Sequence, residues 1–236
     1  MNLYLQAYKP AQNFTLAERA EKILRQQRFI SEELNNWTWY LYDKTPIDLR
    51  DDACYELIYK QAKRGMNSKM AKITRYHPHD IPNLQSRCLF YISTNFLPEP
   101  FLVSHHLGYN GEYSKNERIH INHFHKTSAL NNESTIKSLA RKIIKEYTPA
   151  VLYVTSSKYI LDISKAPYDI PRTGWITYVD NSISLPNSMP DFCRTEQLTN
   201  GTLFFTTDGM FNEDNPHHID TALKLSKWFE ENKVKG

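Results

Sequence analysis

The sequence predicts an α+β fold, in which mixed or antiparallel sheets pack against helices. Short β-branched and aromatic runs alternate irregularly with longer segments whose apolar residues recur at helical spacing. This mixture of hairpins and helices favours α+β over a doubly wound parallel sheet. Hydrophobic residues make up 40% of the 236 residues, so a substantial core can be buried. We expect one domain over residues 1–236, or two fused α+β halves of about 1–100 and 101–236.

The first predicted elements are a strand and a capped helix. Residues 3–8 alternate weakly and predict a strand that ends at Pro10. Thr15 and Glu18 have the spacing of a capping box, so the helix begins there. Its apolar residues recur near helical spacing at Leu16, Ala20, Ile23, Leu24, Ile30 and Leu34.

A strand and a second helix follow. Residues 37–42 are aromatic and predict a strand that Pro46 ends, after which Asp48 is expected to cap a helix through about Arg64. The apolar stripe of this helix is predicted at Ala53, Leu57, Ile58 and Ala62. Residues 67–85 show no clear period and predict a loop.

The middle of the chain predicts strands at 88–92, from 102, at 118–125 and at 150–155, with a turn at 108–111. Ser134 is expected to cap a helix over 135–147. The last third predicts strands at 175–179 and 202–207. Asn215 and Pro216 fit the cap and the first turn of a final helix. Its inner face is predicted at Ile219, Ala222, Leu223, Ser226 and Phe229.

Composition excludes several classes of protein. The formal net charge is only +3, which does not indicate nucleic-acid or membrane binding by itself. No apolar run approaches the roughly 20 residues of a membrane helix, and the N-terminus lacks a secretory signal pattern. Cys54, Cys88 and Cys193 lie far apart and fit free thiols. We therefore expect a cytoplasmic protein without membrane association.

No catalytic motif stands out in the sequence. His123 and His125 share one face of a predicted strand, with His120 on the other, but no third metal ligand lies nearby. A strand with the Glu-x-Lys pattern of metal-dependent nucleases is missing, as are a serine elbow and a phosphate-binding loop. His217 and His218 fall in the first turn of the final helix and are expected to be neutral and solvated. We predict no enzymatic activity, no metal and no cofactor.

Two charged stretches allow alternative interpretations. Residues 60–75 carry six basic side chains and no acid, at Lys60, Lys63, Arg64, Lys69, Lys72 and Arg75. A solvated surface is the favoured interpretation, and an electrostatic patch for an acidic partner or nucleic acid is the other. The acids near the final helix are Asp208, Glu213, Asp214 and Asp220. They suit a helix N-terminus, and they could also imitate phosphates for a nucleic-acid-binding partner.

Two blocks in the last third resemble a known family. The first runs from Gly174 to Tyr178, and the second runs from Gly201 to Pro216. Their matching positions are Gly174, Trp175, Tyr178, Gly201, Thr202, Thr206, Thr207, Phe211, Asp214, Asn215 and Pro216. With weaker matches at residues 4–8 and 39–40, the chain resembles the immunity protein 52 family of bacterial polymorphic toxin systems. It departs from that family at residues 204–205, where aliphatics are usual, and at 209–210, where charges are usual.

This resemblance implies a cytoplasmic inhibitor that binds and neutralises a cognate secreted toxin, encoded by the adjacent gene. Such toxins are typically nucleases of the restriction-endonuclease-like class, often delivered by type VI secretion. We expect occlusion of the toxin through Tyr109, Glu112, Tyr113, Asp208, Phe211, Glu213 and Asp214. Direct nucleic-acid binding is not expected. The alternatives are a nucleic-acid-binding module that uses residues 60–75 and a small metal-dependent hydrolase.

Overall fold

The computed structural model describes residues 3–12, 14–41, 43–66, 86–91, 102–107, 116–124, 132–164, 166–167 and 169–236. The chain forms two compact units. The first comprises Met1–Ala7, Asn122–Ile144 and Thr148–Gly236, and the second comprises Tyr8–Ile121 and Lys145–Tyr147. Helices pack with antiparallel strand pairs, so the predicted α+β class is confirmed. The domain prediction for residues 1–236 stays a prediction.

The second unit is built from strands in the order β3-β2-β4-β5-β6 and two helices. The strands are β2 (Thr38–Leu41), β3 (Pro46–Asp48), β4 (Ser86–Tyr91), β5 (Leu102–Leu107) and β6 (Asn116–Phe124). The helices are α1 (Leu16–Leu34) and α2 (Cys54–Met66). The predicted loop at 67–85 and turn at 108–111 lie outside the described residues.

The predicted capping box of α1 is confirmed. Glu18 N donates to Thr15 Oγ1 (3.3 Å), and Thr15 N donates to Glu18 Oε2 (2.7 Å). At the other end Asn35 adopts the left-handed conformation, with φ 48°, and its N–H donates to the carbonyls of the last turn. Local chemistry therefore fixes both ends of this helix.

The predicted start of α2 at Asp48 is wrong. Pro46 begins the short strand β3 and pairs with Tyr40, because an edge strand tolerates a residue without an N–H. The Asp48 carboxylate instead accepts from Arg50 N, and Asp51 Oδ1 accepts from Ala53 N (2.8 Å). These turns delay the helix to Cys54. Its buried residues are Cys54, Ile58 and Ala62, whereas Ala53 is exposed.

His105 lies in the core of the second unit, a position that the sequence did not predict. Its Nδ1 is 2.9 Å from Gln26 Oε1, and its Nε2 is 2.8 Å from Gln27 Oε1. The Phe90 ring packs edge-on against it, with centroids 5.5 Å apart. Both ring nitrogens therefore contact helix α1, which explains how a histidine is buried here.

The first unit has strands in the order β1-β7-β8-β10-β9. The strands are β1 (Leu3–Pro10, N-terminal part), β7 (Val151–Ser156), β8 (Ile176–Asp180), β9 (Arg194–Leu198) and β10 (Gly201–Phe205). The helices are α3 (Glu133–Tyr147) and α4 (Pro216–Glu231), and a π-helical turn spans Tyr159–Ile163. A core of apolar side chains joins β8, β10 and α4 through Ile170, Val179, Phe204, Leu225, Phe229 and Val234.

Two helix details in the first unit differ from the prediction. Asn132, not Ser134, caps α3, because Asn132 Oδ1 accepts from Thr135 N at 2.8 Å. The predicted cap of α4 is confirmed, since Asn215 Oδ1 accepts from His217 N at 3.0 Å. Leu223 is 38% exposed, however, and Leu225 is buried in its place.

No described helix is long and apolar enough to cross a membrane. Among the described cysteines, Cys54 and Cys193 are free thiols, as the sequence predicts.

Candidate functional site

The acidic loop, residues 208–214, joins β10 to helix α4. Side chains hold it at both ends. Thr207 Oγ1 donates to Gly209 O (2.6 Å), Asp214 N donates to Asn212 Oδ1 (3.1 Å), and Asn212 N donates to His218 Nδ1 (2.9 Å). The loop therefore has a defined conformation that a partner would meet already formed.

Phe211 anchors the acidic loop from inside. Its ring is fully buried and packs edge-on against Tyr159 at 5.8 Å between centroids. Tyr159 in turn shares a hydrogen bond with Thr173 (3.0 Å), whose hydroxyl donates to Ala222 O in α4 (3.0 Å). The expectation that Phe211 contacts a partner is therefore corrected: its ring belongs to the core and is not on the surface.

Lysines accompany the acids of the loop. Asp208 and Asp214 are exposed and Glu213 is half-buried. Lys137 Nζ donates to Asp208 O at 3.1 Å, and Lys158 Nζ lies 3.4 Å from Asp214 Oδ1. Both lysines come from other parts of the first unit. This surface therefore carries charges of both signs. It imitates a row of phosphates less well than the acids alone would.

A cavity of about 380 Å³ opens beside the loop. Its walls come from the start of β9, the end of β10, the acidic loop and the first turn of α4. The lining residues are Phe192, Cys193, Arg194, Phe205, Thr206, Thr207, Asp208, Gly209, His217 and His218. We call it the edge cavity. Its volume suits one or two side chains of a partner or a small ligand.

Arg194 is the principal cation of the edge cavity. Its guanidinium carbon lies 4.0 Å from the centroid of the Phe205 ring, in a cation–π contact. The nearest carboxylate, on Glu196, is 4.0 Å away and already accepts two short bonds from Arg141, of 2.6 and 2.7 Å. Those bonds from Arg141 hold the pKa of Glu196 below its usual value. Stacking on Phe205 therefore holds the Arg194 side chain, which is 47% exposed.

The two histidines at the cavity differ in environment. His218 accepts a backbone hydrogen bond through Nδ1, and its burial, with His217 beside it, lowers its pKa. The neutral ring then carries its proton on Nε2, which makes that atom a donor. His217 is exposed. His218 is therefore neutral but only partly solvated, and it has a structural contact with the acidic loop that the sequence did not indicate.

Among the described residues, the one thiol that lines this cavity belongs to Cys193. Burial raises the pKa of the Cys193 thiol to about 11, so it is protonated and a poor nucleophile at neutral pH. Within the described part of the chain, no three His, Cys, Asp or Glu side chains converge to hold a metal ion. The arrangement offers hydrogen-bond donors, aromatic surface and one carboxylate. Groups of these kinds can bind a partner protein or a small ligand.

A comparison with solved structures finds a related fold in the Pseudomonas aeruginosa T6SS protein PA0821. The alignment covers 98% of this chain and 76% of that one, with a TM-score of 0.59 and 9% sequence identity. A likeness at that identity shows a shared fold. No protein-family model matches the chain, and no curated protein matches it. The resemblance to the immunity protein 52 family is not confirmed by these comparisons.

The structure brings the two resembling blocks together in the first unit. Thr206 Oγ1 donates to Gly174 O at 2.7 Å, and Thr206 N donates to Trp175 O at 3.0 Å. A methyl group at Gly174 would overlap Thr155 and the Val154 carbonyl oxygen. The Trp175 ring is fully buried with Lys137 Nζ 5.6 Å from its centroid. These positions maintain the close packing of β7, β8 and β10.

The remaining signature positions also have structural roles. Tyr178 donates its hydroxyl to Asn200 O (2.8 Å), and Thr202 Oγ1 donates to Gln197 Oε1 (3.0 Å). Gly201 lies so close to the Tyr178 ring and the Val179 carbonyl that a side chain would overlap both. The signature therefore describes a fold, and its residues do not themselves mark an interface.

Several predicted contacts lie outside the described residues. They are Tyr109, Glu112 and Tyr113, the histidine at 125, and the basic residues at 69, 72 and 75. Lys60 and Lys63 are exposed on α2. The proposed contacts that the structure describes on the surface are thus Asp208, Glu213 and Asp214, beside the edge cavity.

Proposed function

We propose that this chain is an immunity protein that binds a cognate secreted toxin and neutralises it by protein–protein occlusion. Two observations support the proposal. Thr206 and Gly174, which belong to the two blocks that resemble the immunity protein 52 family, are joined by a hydrogen bond. The fold is shared over 98% of the chain with a protein named for type VI secretion. The first of these carries the proposal.

The described surface suits an inhibitor in physical terms. The acidic loop is anchored by Phe211 and by backbone bonds, so binding orders few groups and loses little conformational entropy. Arg194 stacked on Phe205, together with the exposed Phe192, offers the aromatic and guanidinium groups that dominate binding energy at interfaces. Asp208, Glu213 and Asp214 would set the encounter rate and partner choice.

The toxin class follows from the resemblance. A nuclease of the restriction-endonuclease-like class, delivered by a type VI system and met in the cytoplasm, is the proposed partner. The inhibitor would cover the active site or prevent a conformation that the toxin needs. Neither action requires chemistry from this chain, so we propose no enzymatic activity.

Growth rescue tests this function. The toxin encoded beside this chain is induced in a sensitive bacterium with and without the chain. Restored growth, together with intact chromosomal DNA, is the expected result. A matched control is Gly174→Asp, which places a charged side chain where a methyl group already overlaps and should abolish rescue by unfolding. Continued growth arrest at equal expression of the wild-type chain would overturn the proposal.

A further inference from the structure

Strand β9 forms an edge of the sheet in the first unit. The strand order of that unit ends with β9, whose paired neighbour is β10. Among the residues that the structure describes, no strand pairs with the outer side of β9. An edge of this kind offers a row of backbone donors and acceptors to another chain.

The register shows which backbone groups face outward. Thr206 N donates to Trp175 O, so Thr206 directs its backbone groups toward β8. Backbone direction alternates along an antiparallel strand. The residues of β10 that face β9 are therefore Gly201, Leu203 and Phe205, paired with Leu198, Glu196 and Arg194. The intervening residues Thr195 and Gln197 must then direct their N–H and C=O groups away from β10, toward the open side.

This edge differs from the edge of the second unit. There β3 is three residues long and begins with Pro46, a combination that discourages pairing. Strand β9 is five residues long and contains no proline. Phe192 and Met189, which precede it, are 36% and 38% exposed. The start of this edge therefore has exposed apolar surface, from Phe192, next to open backbone donors and acceptors.

A second copy of this chain is a poor occupant of the edge. A symmetric antiparallel pair centred on β9 would place Glu196 directly opposite Glu196 of the other copy. Like charges directly opposite each other destabilise a strand pair. The edge consequently favours a different partner over self-association.

The edge cavity lies where β9 begins, and Arg194 belongs to both. Its guanidinium is held on the Phe205 ring, and the carboxylate of Glu196 is held by Arg141. A carboxylate from a partner is the group that fits a planar guanidinium that is held by stacking and is 47% exposed. Asp208 also lines the cavity and would repel any anion, which weakens binding of a small free one. A carboxylate on a paired strand is held beside Arg194 by the rest of the segment, and this high effective concentration favours it over a soluble anion.

We infer that the outer edge of β9 and the edge cavity together receive an extended segment of the partner protein, whose acidic side chain binds Arg194. This inference rests on the proposed function, since the partner is the toxin. The segment pairs with Thr195 and Gln197 through its backbone and contacts Phe192 through its side chains. Affinity comes mainly from backbone bonds, and specificity comes from the carboxylate.

Binding of the purified toxin to purified variants tests the inference. Thr195→Pro removes the outward N–H without removing a bond to β10, and it should weaken binding about tenfold or more. Thr195→Val keeps that N–H and should bind like the wild type. Arg194→Glu should weaken binding by at least about 30-fold. Lys227→Glu, an equal charge change at an exposed α4 residue, is the control.

Hydrogen exchange on the unmodified chain gives an independent measurement. The amides of Thr195 and Gln197 should exchange fast in the free chain and become protected in the complex. If the wild-type chain binds the toxin while Arg194→Glu and Thr195→Pro bind equally well and these amides stay unprotected, the docking surface is wrong and the proposed function stands. If the wild-type chain does not bind the toxin, both the function and this inference fail.

Discussion

At the scale of single residues, His105 shows how a titratable side chain can be buried without a charge. Burial lowers the pKa of His105 from its ordinary value to about 3, so the folded protein holds a neutral ring. A neutral ring donates from one nitrogen and accepts at the other, so one of the two glutamines presents its amide NH₂ group to the ring. The contacts with Gln26 and Gln27 come from residues almost eighty positions earlier. Local sequence around His105 carries no signal of these contacts, which is why the sequence did not predict a buried histidine.

The pH dependence of stability follows from this burial. The unfolded chain binds a proton at His105 below about pH 6.5, and the folded chain binds it only near pH 3. The contribution of the neutral His105 ring to the free energy of unfolding is therefore complete above pH 6.5. It is lost as the pH falls from 6.5 to 3. We expect the free energy of unfolding to fall by about 1.4 kcal/mol per pH unit from this group. Urea unfolding of the wild type and of His105→Gln, compared between pH 7.5 and 4.5, measures the difference in slope, and equal slopes would contradict it.

Lys9 and Glu117 form a second buried polar contact, within the second unit. Their charged atoms are 3.6 Å apart, Lys9 Nζ also donates to Tyr147 O (2.8 Å), and the Glu117 side chain is 2% exposed. Burial raises the pKa of Glu117, and the Lys9 charge opposes that rise. Each charge therefore offsets part of the desolvation cost of burying the other.

Removing one of these two charged side chains should therefore lower the free energy of unfolding more than removing both. Lys9→Met leaves the Glu117 carboxylate without its main counter-charge, with only the weaker influence of Lys22, and we expect a loss of about 3 kcal/mol in the free energy of unfolding. The double variant Lys9→Met with Glu117→Gln should recover part of that loss. Thermal and urea unfolding of the wild type, the two single variants and the double variant give the coupling free energy between Lys9 and Glu117. Additive losses would show that the contact is incidental.

Among the helix starts, those at Thr15 and Asn215 were predicted correctly, whereas those predicted at Asp48 and Ser134 were wrong. Thr15, Glu18, Asn215 and Pro216 act through neighbours a few residues away, so their roles follow from spacing alone. Strand β9 was missed because its sequence, Arg-Thr-Glu-Gln-Leu, lacks the apolar alternation that marks a half-buried strand. None of its five side chains is fully buried, so no face of the strand requires that pattern.

Close approach of β8 and β10 should make Gly201 sensitive to substitution. Gly201→Ala would place a methyl group against the Val179 carbonyl oxygen and the Tyr178 ring, so we expect a loss of about 2–3 kcal/mol. Gly209 is the matched control, since open space surrounds it. Gly209→Ala should leave the melting temperature unchanged or slightly raised. Equal melting temperatures for the two alanine variants would contradict the packing described here.

For the molecule as a whole, the alternation of strand and helix patterns predicted the α+β class. The same patterns did not predict the candidate surface. The edge cavity unites Phe192, Phe205 and His218 from three separate segments, and only folding brings them together. Phe211 was expected to contact the partner as part of the acidic loop. It is buried because Tyr159, about fifty positions away, provides the apolar partner.

Charge on the acidic loop should govern the rate of toxin binding. Reversal at Glu213 and Asp214 to lysine adds like charge to a surface that already contains Lys158 and Lys137. Because charges at the edge of an interface act mainly through long-range steering, we expect slower association, a changed salt dependence and a nearly constant dissociation rate. Stopped-flow or surface-plasmon kinetics at two ionic strengths measure this. Unchanged association kinetics would remove the loop from the interface.

We expect this chain to bind a toxin encoded beside it, and isothermal titration of the two purified proteins measures that binding. A catalytically inactive toxin variant keeps the titrant stable. Saturable binding at defined stoichiometry, with a Kd in the nanomolar range or tighter and a negative heat-capacity change from buried apolar surface, is the result we predict. The absence of heat at micromolar concentrations of both folded proteins, at more than one temperature, would contradict it.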